Sequence, residues 1–218
     1  MIIKINFTQP EQIVPVANQK DLNSYIHKCI GPNNKFHDAF SNYCVSSLQG
    51  GKLNTEDNTL VFNEMPHIFV TTNNEKFTEA FLNGVMQDKY TLFGMHYKNI
   101  EMLNFNINRD YDLIYMASPI LLKRNNIKIS YKDENYIEVL RDNCIAKLKY
   151  EGIEDETFDI ELHNVEKSKV KKIMVGDVFN ISTMASFIVR GKRETREKLY
   201  NLGLGNSTGS GFGMVKPM

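Results

Sequence analysis

Met1-Ile2-Ile3-Lys4-Ile5-Asn6-Phe7 opens the chain, with Ile3, Ile5 and Phe7 alternating against Lys4 and Asn6. That period of two is the mark of a half-buried strand. Working outward, Asn18 stands where it can cap a helix whose apolar residues, Leu22, Tyr25, Ile26, Cys29 and Ile30, recur at helical spacing; Gly31-Pro32 ends it. Tyr43, Val45 and Ser47 then point one way in a strand that runs to Gly50-Gly51. Thr59–Asn63 and His67–Thr71 read as short strands separated or bent at Pro66, because proline cannot donate to a ladder. Thr72 followed by Glu75 has the spacing of a capping box and opens a helix with Phe77, Ala80, Phe81 and Val85 inward. A strand follows within Tyr90–Phe105.

The second half repeats this order. Leu113–Leu121 and Ile127–Tyr131 read as extended, and Ile137, Leu140, Cys144 and Leu148 as a helix. Phe158, Ile160 and Leu162 alternate with Asp159, Glu161 and His163 in a further strand. Val170–Val175 and Phe179–Val189 are extended, and Thr195, Leu199 and Leu202 share one face of a short basic helix. Two successive βαββαβ units predict an α+β protein of two tandem ferredoxin-like (RRM-like) domains ending in a glycine-rich loop. The expected domains are residues 1–107 and 108–218, with the junction in Asn104–Asp110.

At 218 residues, 42% hydrophobic and 24% charged, the chain has apolar material for buried cores. No apolar run approaches the roughly 18 residues of a membrane helix, and the first residues lack a signal-peptide design. Cys29, Cys44 and Cys144 are too few and too widely spaced for a disulfide framework or a zinc cage. The expectation is a cytoplasmic protein with no membrane, metal or cofactor. The net charge is zero, but its distribution is uneven. Residues 163–218 hold ten Lys/Arg against four acids, a net +6 set against −6 on the rest. Screening over about 8 Å lets such a region attract a polyanion locally. Its phosphate candidates are Lys169, Lys171, Lys172, Arg190, Lys192, Arg193 and Arg196.

Between Gly203 and Gly213 the chain places five of its thirteen glycines, at Gly203, Gly205, Gly209, Gly211 and Gly213. Such clustering points to backbone approaching a phosphate or a neighbouring sheet. The segment lacks both the Gly-Lys-Ser/Thr of a P-loop and a following helix. Leu204 and Phe212 give it apolar anchors.

The spacing Gly203-Leu204-Gly205, five residues, then Gly211-Phe212-Gly213 resembles the signature of the RAMP proteins. More closely, the chain resembles the CRISPR-associated endoribonucleases that cut precursor CRISPR RNA within its repeats. Phe36-His37-Asp38 after the first helix, Phe81-Leu82-Asn83-Gly84-Val85 in the second and Ser118-Pro119-Ile120 opening the second domain agree in order and position. The resemblance implies metal-independent cleavage by the ribose 2′-OH, leaving a 2′,3′-cyclic phosphate and a 5′-hydroxyl. That chemistry needs a base, an acid and a charge-stabilising group. Histidine suits both proton roles, with an ordinary pKa of about 6.5.

His37 matches the family's histidine after the first helix. His27 falls on the polar face of that helix with Lys20, Asn23 and Ser24, where some relatives place a second active-site residue. Several relatives carry a lysine shortly after the catalytic histidine, but here the stretch is Ala39-Phe40-Ser41-Asn42-Tyr43. Lys35, Lys52 and Tyr43, with Ser41 as a hydrogen-bond donor, are the alternatives for the third role. His67 and His96 lie in strand-like stretches and are expected to be structural; His163 points outward from its strand. The implied partners are CRISPR repeat RNA, CRISPR effector-complex subunits and a second copy of the chain. A non-cleaving RAMP subunit that holds guide RNA is the competing reading.

Overall fold

The computed structural model describes residues 1–31, 36 and 41–216. In the first half, β1 (Ile2–Phe7) lies between β5 (Thr59–Thr72) and β6 (Tyr97–Leu103), antiparallel to both. The short β2 (Val14–Pro15), β3 (Tyr43–Val45) and β4 (Gln49–Asn54) all pair with β5. With α1 (Gln19–Ile30) and α2 (Glu75–Met86) on one face, this is the ferredoxin-like order, β3 and β4 together filling the second-strand place. The core gathers Ile3, Ile5 and Phe7 with Leu22, Ile26, Phe77, Phe81 and Val85, the inward residues that strand and helix periodicity single out. The helices cross closely at Gly84, where an added Cβ would lie 1.9 Å from the Cys29 carbonyl oxygen.

Two readings of this half change. Pro66 does not break the strand: β5 runs for fourteen residues through it. The β4 register shifts between Gln49, opposite His67, and Gly51, opposite Phe62, while the β1 pairing ends at His67. The missing N–H therefore falls where no ladder bond is required. The cap of α2 is Asn74, whose side chain accepts from the Phe77 N–H; Thr72 Oγ1 instead accepts from the Asn74 N–H.

In the second half, β7 (Tyr111–Tyr115) is followed by the hairpin β8 (Leu122–Arg124) and β9 (Ile127–Ile129), then α3 (Tyr136–Tyr150) and β10 (Asp159–His163). The extended run expected over residues 179–189 divides at Ala185. Its first part, β12 (Val178–Met184), pairs with β11 (Lys169–Val175) in a hairpin; its second, β13 (Ser186–Arg190), lies between β10 and β7. After α4 (Arg193–Leu202), residues 214–216 return beside β7: Val215 bridges Met116, and the Lys216 N–H donates to the Tyr115 carbonyl at 2.7 Å. They take the place of the fourth ferredoxin-like strand. The second core collects Ile114, Leu140, Cys144, Ile160, Phe187, Leu199 and Val215, with Ile107 from the connection. Ile2, Cys44, Ala117 and Met214 join the two halves.

A candidate nucleic-acid interface between the two halves

The glycine-rich segment is a buried part of the seam. Gly203, Gly205, Gly209, Gly211 and Gly213 are all buried. Gly203, Gly205, Gly211 and Gly213 have positive φ, a region that favours glycine. At Gly213, φ +68°, an added Cβ would lie 1.9 Å from the Leu204 carbonyl oxygen. At Gly203 it would lie 2.4 Å from Cys44 Sγ. Leu204 and Phe212 are buried anchors, and Thr208 Oγ1 donates to the Tyr43 carbonyl at 3.2 Å. The Lys147 ammonium, buried in α3, donates to the Gly203 carbonyl at 2.8 Å. Burial pulls its pKa down to about 8, against the opposing influence of Cys44 and Cys144, and pushes both thiols up to about 12.

Tyr43, a candidate for the third role, belongs to this scaffold. It is buried, its ring stacks on Phe77 with centroids 4.4 Å apart, and burial pushes its phenol pKa up. Its place shortly after the His37 position made it a candidate, but β3 is covered on both sides. Arg196 is a second correction. It is fully buried, with Nη1 2.9 Å from the Asp112 carboxylate and Nη2 donating to the Asn108 and Arg109 carbonyls at 2.7 and 3.0 Å. Tyr200 donates to the same carboxylate at 2.9 Å. This arginine fastens α4 to the connection between the halves and is closed to a phosphate.

The remaining cations fall into two places. Lys169, Lys171 and Lys172 are exposed on β11. Arg190 sits at the far end of β13, 2.8 Å from Glu161 and 4.0 Å from Asp159, so its charge is largely answered. Lys192 and Arg193 are exposed at the start of α4; the Lys192 N–H donates to Asp155 at 2.7 Å. Burial acts to raise the Asp155 pKa, but hydrogen bonds from Thr157, Thr195 and Lys192 outweigh it and hold the carboxyl at about 2. Of the β11 group, Lys171 and Lys172 border a cleft.

That cleft, about 650 Å³, lies between the two halves. Its walls include Asn18 and Gln19 at the start of α1, Leu53 and Leu60 from β4 and β5, and Lys171, Lys172 and Phe179 from the β11–β12 hairpin. Lys52 is exposed on β4, alternating away from Leu53. His27 is half-buried on α1. His37 and Lys35 lie outside the described residues. Ser41 lies beside Gly209, whose added Cβ would meet its Oγ at 2.8 Å. His67 Nδ1 is 3.0 Å from the Met65 carbonyl oxygen, and His96 Nδ1 is 2.8 Å from Asp88. His163 is half-buried on β10. Among the described residues, then, the structure brings together the glycine segment, α1 and the β11 lysines, while Arg190, Lys192 and Arg193 stand apart.

Sequence reading passed over Lys128 and Phe179. Lys128, on β9, donates to the Phe179 carbonyl, and its proximity to β12 depends on hairpin packing that no local pattern encodes. Phe179 is 59% exposed, and its strand placement alone does not reveal that. Among the described residues, no helix is long and apolar enough to cross a membrane.

Tandem ferredoxin-like units joined by a glycine-rich seam make an RAMP-like fold, and known structures share it. The chain aligns over its full length with a CRISPR-associated protein Cas6, at 19% identity and TM-score 0.80, covering 99% of that chain. It aligns equally fully with an RAMP protein binding different RNA substrates, at 19% identity, TM-score 0.81 and 99% coverage of that chain. A Cas6-related protein from Pyrococcus furiosus gives 19% identity and TM-score 0.84, with all of this chain and 98% of the other covered. At such identities the likeness is one of fold. No curated protein matches. The family model described as CRISPR associated protein Cas6, C-terminal, matches residues 104–217, more than half of the chain. The chain belongs to the Cas6 family, and its role lies in CRISPR RNA processing or binding.

Proposed function

We propose that the protein is a metal-independent endoribonuclease that binds CRISPR repeat RNA across the seam between its halves and cuts it within the repeat. The observation that carries this reading is the convergence of the start of α1 with Lys171 and Lys172 on one interdomain cleft in a Cas6-family chain, with the glycine-rich segment packed behind it against Gln19 and Pro119. The 2′-oxygen forms a bond to the adjacent phosphorus as its proton passes to a base. The bond to the 5′-oxygen breaks as that oxygen receives a proton, giving a 2′,3′-cyclic phosphate and a 5′-hydroxyl. His37 and His27 are assigned the two proton transfers, since a neutral and a protonated imidazole coexist near pH 6.5. For the developing phosphorane charge Lys35 and Lys52 are retained as the alternatives, Lys52 reaching round the β4 edge from the face opposite Leu53, and Tyr43 is withdrawn because its phenol is buried. Lys169, Lys171 and Lys172 hold backbone phosphates at the cleft, and Lys192 and Arg193 are assigned to phosphates beyond it. The domains are assigned as residues 1–107 and 108–218.

The test is incubation of the protein with repeat RNA in EDTA, followed by end-group analysis. Cyclic phosphate and 5′-hydroxyl ends are expected, with cutting lost in His37→Ala while binding persists. A 2′-deoxy sugar upstream of the cut blocks the reaction and permits binding. Cutting that needs added Mg²⁺, or that survives a His27→Ala, His37→Ala double variant, refutes the mechanism. Binding without cutting in the native protein assigns it instead to guide-RNA holding within an effector complex.

A further inference from the structure

The β11–β12 hairpin carries an apolar surface that none of the described residues covers. Phe179 is 59% exposed, Val178 55% and Ile181 36%, next to Lys171 and Lys172, whereas every other described phenylalanine is buried or half-buried. A cluster of exposed apolar side chains marks a contact surface. The hairpin register divides it. Met174 stands opposite Phe179 and Lys172 opposite Ile181, so Phe179, Ile181, Met174 and Lys172 share one face. Lys172 is the diagonal neighbour of Phe179, within reach of a long side chain. Both residues line the interdomain cleft. Lys128 holds the strand from the other side by donating to the Phe179 carbonyl.

An aromatic face beside an ammonium group, on the wall of an open cleft, matches an unpaired nucleotide: a flat base to stack and a phosphate to pair. A protein partner would meet the same apolar face, but Lys171, Lys172 and Lys128 gathered on or against one hairpin favour a polyanion. We propose that Phe179 is a stacking platform for one unpaired base of the bound RNA, with Lys172 taking the neighbouring phosphate. The inference rests on the RNA-binding reading above and assigns to Phe179 a contact that is sequence-tolerant, because every base offers a π-face.

The experiment uses the full chain and repeat RNA blocked by a 2′-deoxy sugar at the cut, with binding followed by anisotropy across a salt series. Phe179→Ala should weaken binding about 5- to 150-fold, the range that loss of one stacked base gives. It should leave the slope of log Kd against log salt unchanged. Lys172→Gln should reduce that slope by about 0.7, the value for one single-strand phosphate. The chain has no tryptophan, so Phe179→Trp introduces a lone reporter. Its affinity should be near native, and its emission should fall on adding RNA and recover at high salt. Native melting temperatures for all three variants would show that folding is intact. If Phe179→Ala binds as the native protein does, or the tryptophan emission ignores RNA, stacking is refuted and the RNA-binding function stands. If the native protein binds no repeat RNA, the function itself falls and this proposal with it. A native self-association, seen by sedimentation and abolished by Phe179→Ala without change in RNA affinity, would assign the face to a second copy and overturn the proposal.

Discussion

Replacing Gly213 by alanine isolates what the glycine-rich segment contributes. Gly213 has φ +68°, where an alanine costs about 1–2 kcal/mol, offset by about 0.4–1 kcal/mol of lost freedom in the unfolded chain. Its new methyl group would sit 1.9 Å from the Leu204 carbonyl oxygen, and ordinary contact begins near 3.4 Å. Backbone must therefore move by more than an ångström. The Gly213 carbonyl accepts from the Leu204 N–H at 2.8 Å, and the Gly213 N–H donates to the Pro119 carbonyl at 2.9 Å. Disrupting two buried hydrogen bonds costs about 1–2 kcal/mol each. Gly152 is the control: it has φ +74°, and an added Cβ there meets nothing within 4 Å, so it reads the backbone cost alone. Gly213→Ala should be about 2–4 kcal/mol less stable than Gly152→Ala, which for a chain this long lowers the melting temperature by about 5–15 °C more. Calorimetry of the two variants measures the difference directly. Equal melting temperatures would show that the segment is not a packed seam.

Two further predictions concern buried charges. Arg196→Ala leaves Asp112 buried without its guanidinium and should cost about 3–5 kcal/mol in urea unfolding, whereas Arg193→Ala on the exposed turn should stay within about 0.5 kcal/mol. Lys147 should impose a pH dependence. Its pKa falls to about 8 in the folded protein from an ordinary 10.5, so between these values the unfolded chain binds the extra proton and stability rises with pH. Measured against Lys147→Met, native stability should climb between pH 8 and 9.5 by up to about 1.4 kcal/mol per unit; a flat difference would contradict the burial.

Elements whose residues face one core and one open side were readable from the sequence. α1, α2 and α4 follow their apolar periodicity because helix packs on sheet in the ordinary way, and β1 keeps Ile3, Ile5 and Phe7 inward although Ile2 and Asn6 on its other face are buried too. In β3, Tyr43 and Val45 do share one face, toward the first core, but the burial of the other face, where Cys44 meets Met214 of the second half, was not readable. Pro66 misled because its effect depends on a register shift in a partner strand. The basic character of residues 163–218 was plain, but which cations are free was not. Arg196 and Arg193 differ by one helical turn, and only tertiary packing brings Asp112 to the first. The glycine spacing was conspicuous, whereas its role as a seam follows from Leu204, Cys44 and Leu121 arriving from distant parts of the chain.

The return of residues 214–216 beside β7 has a consequence for biosynthesis. A ribosome delivers β1 through β6 long before the ribbon that closes the second sheet, so the first half can acquire its core while the second still waits for its last strand. Until that ribbon emerges, the Pro119 carbonyl lacks the Gly213 N–H it accepts from, so this part of the cleft wall is fixed only after residue 213 has been added.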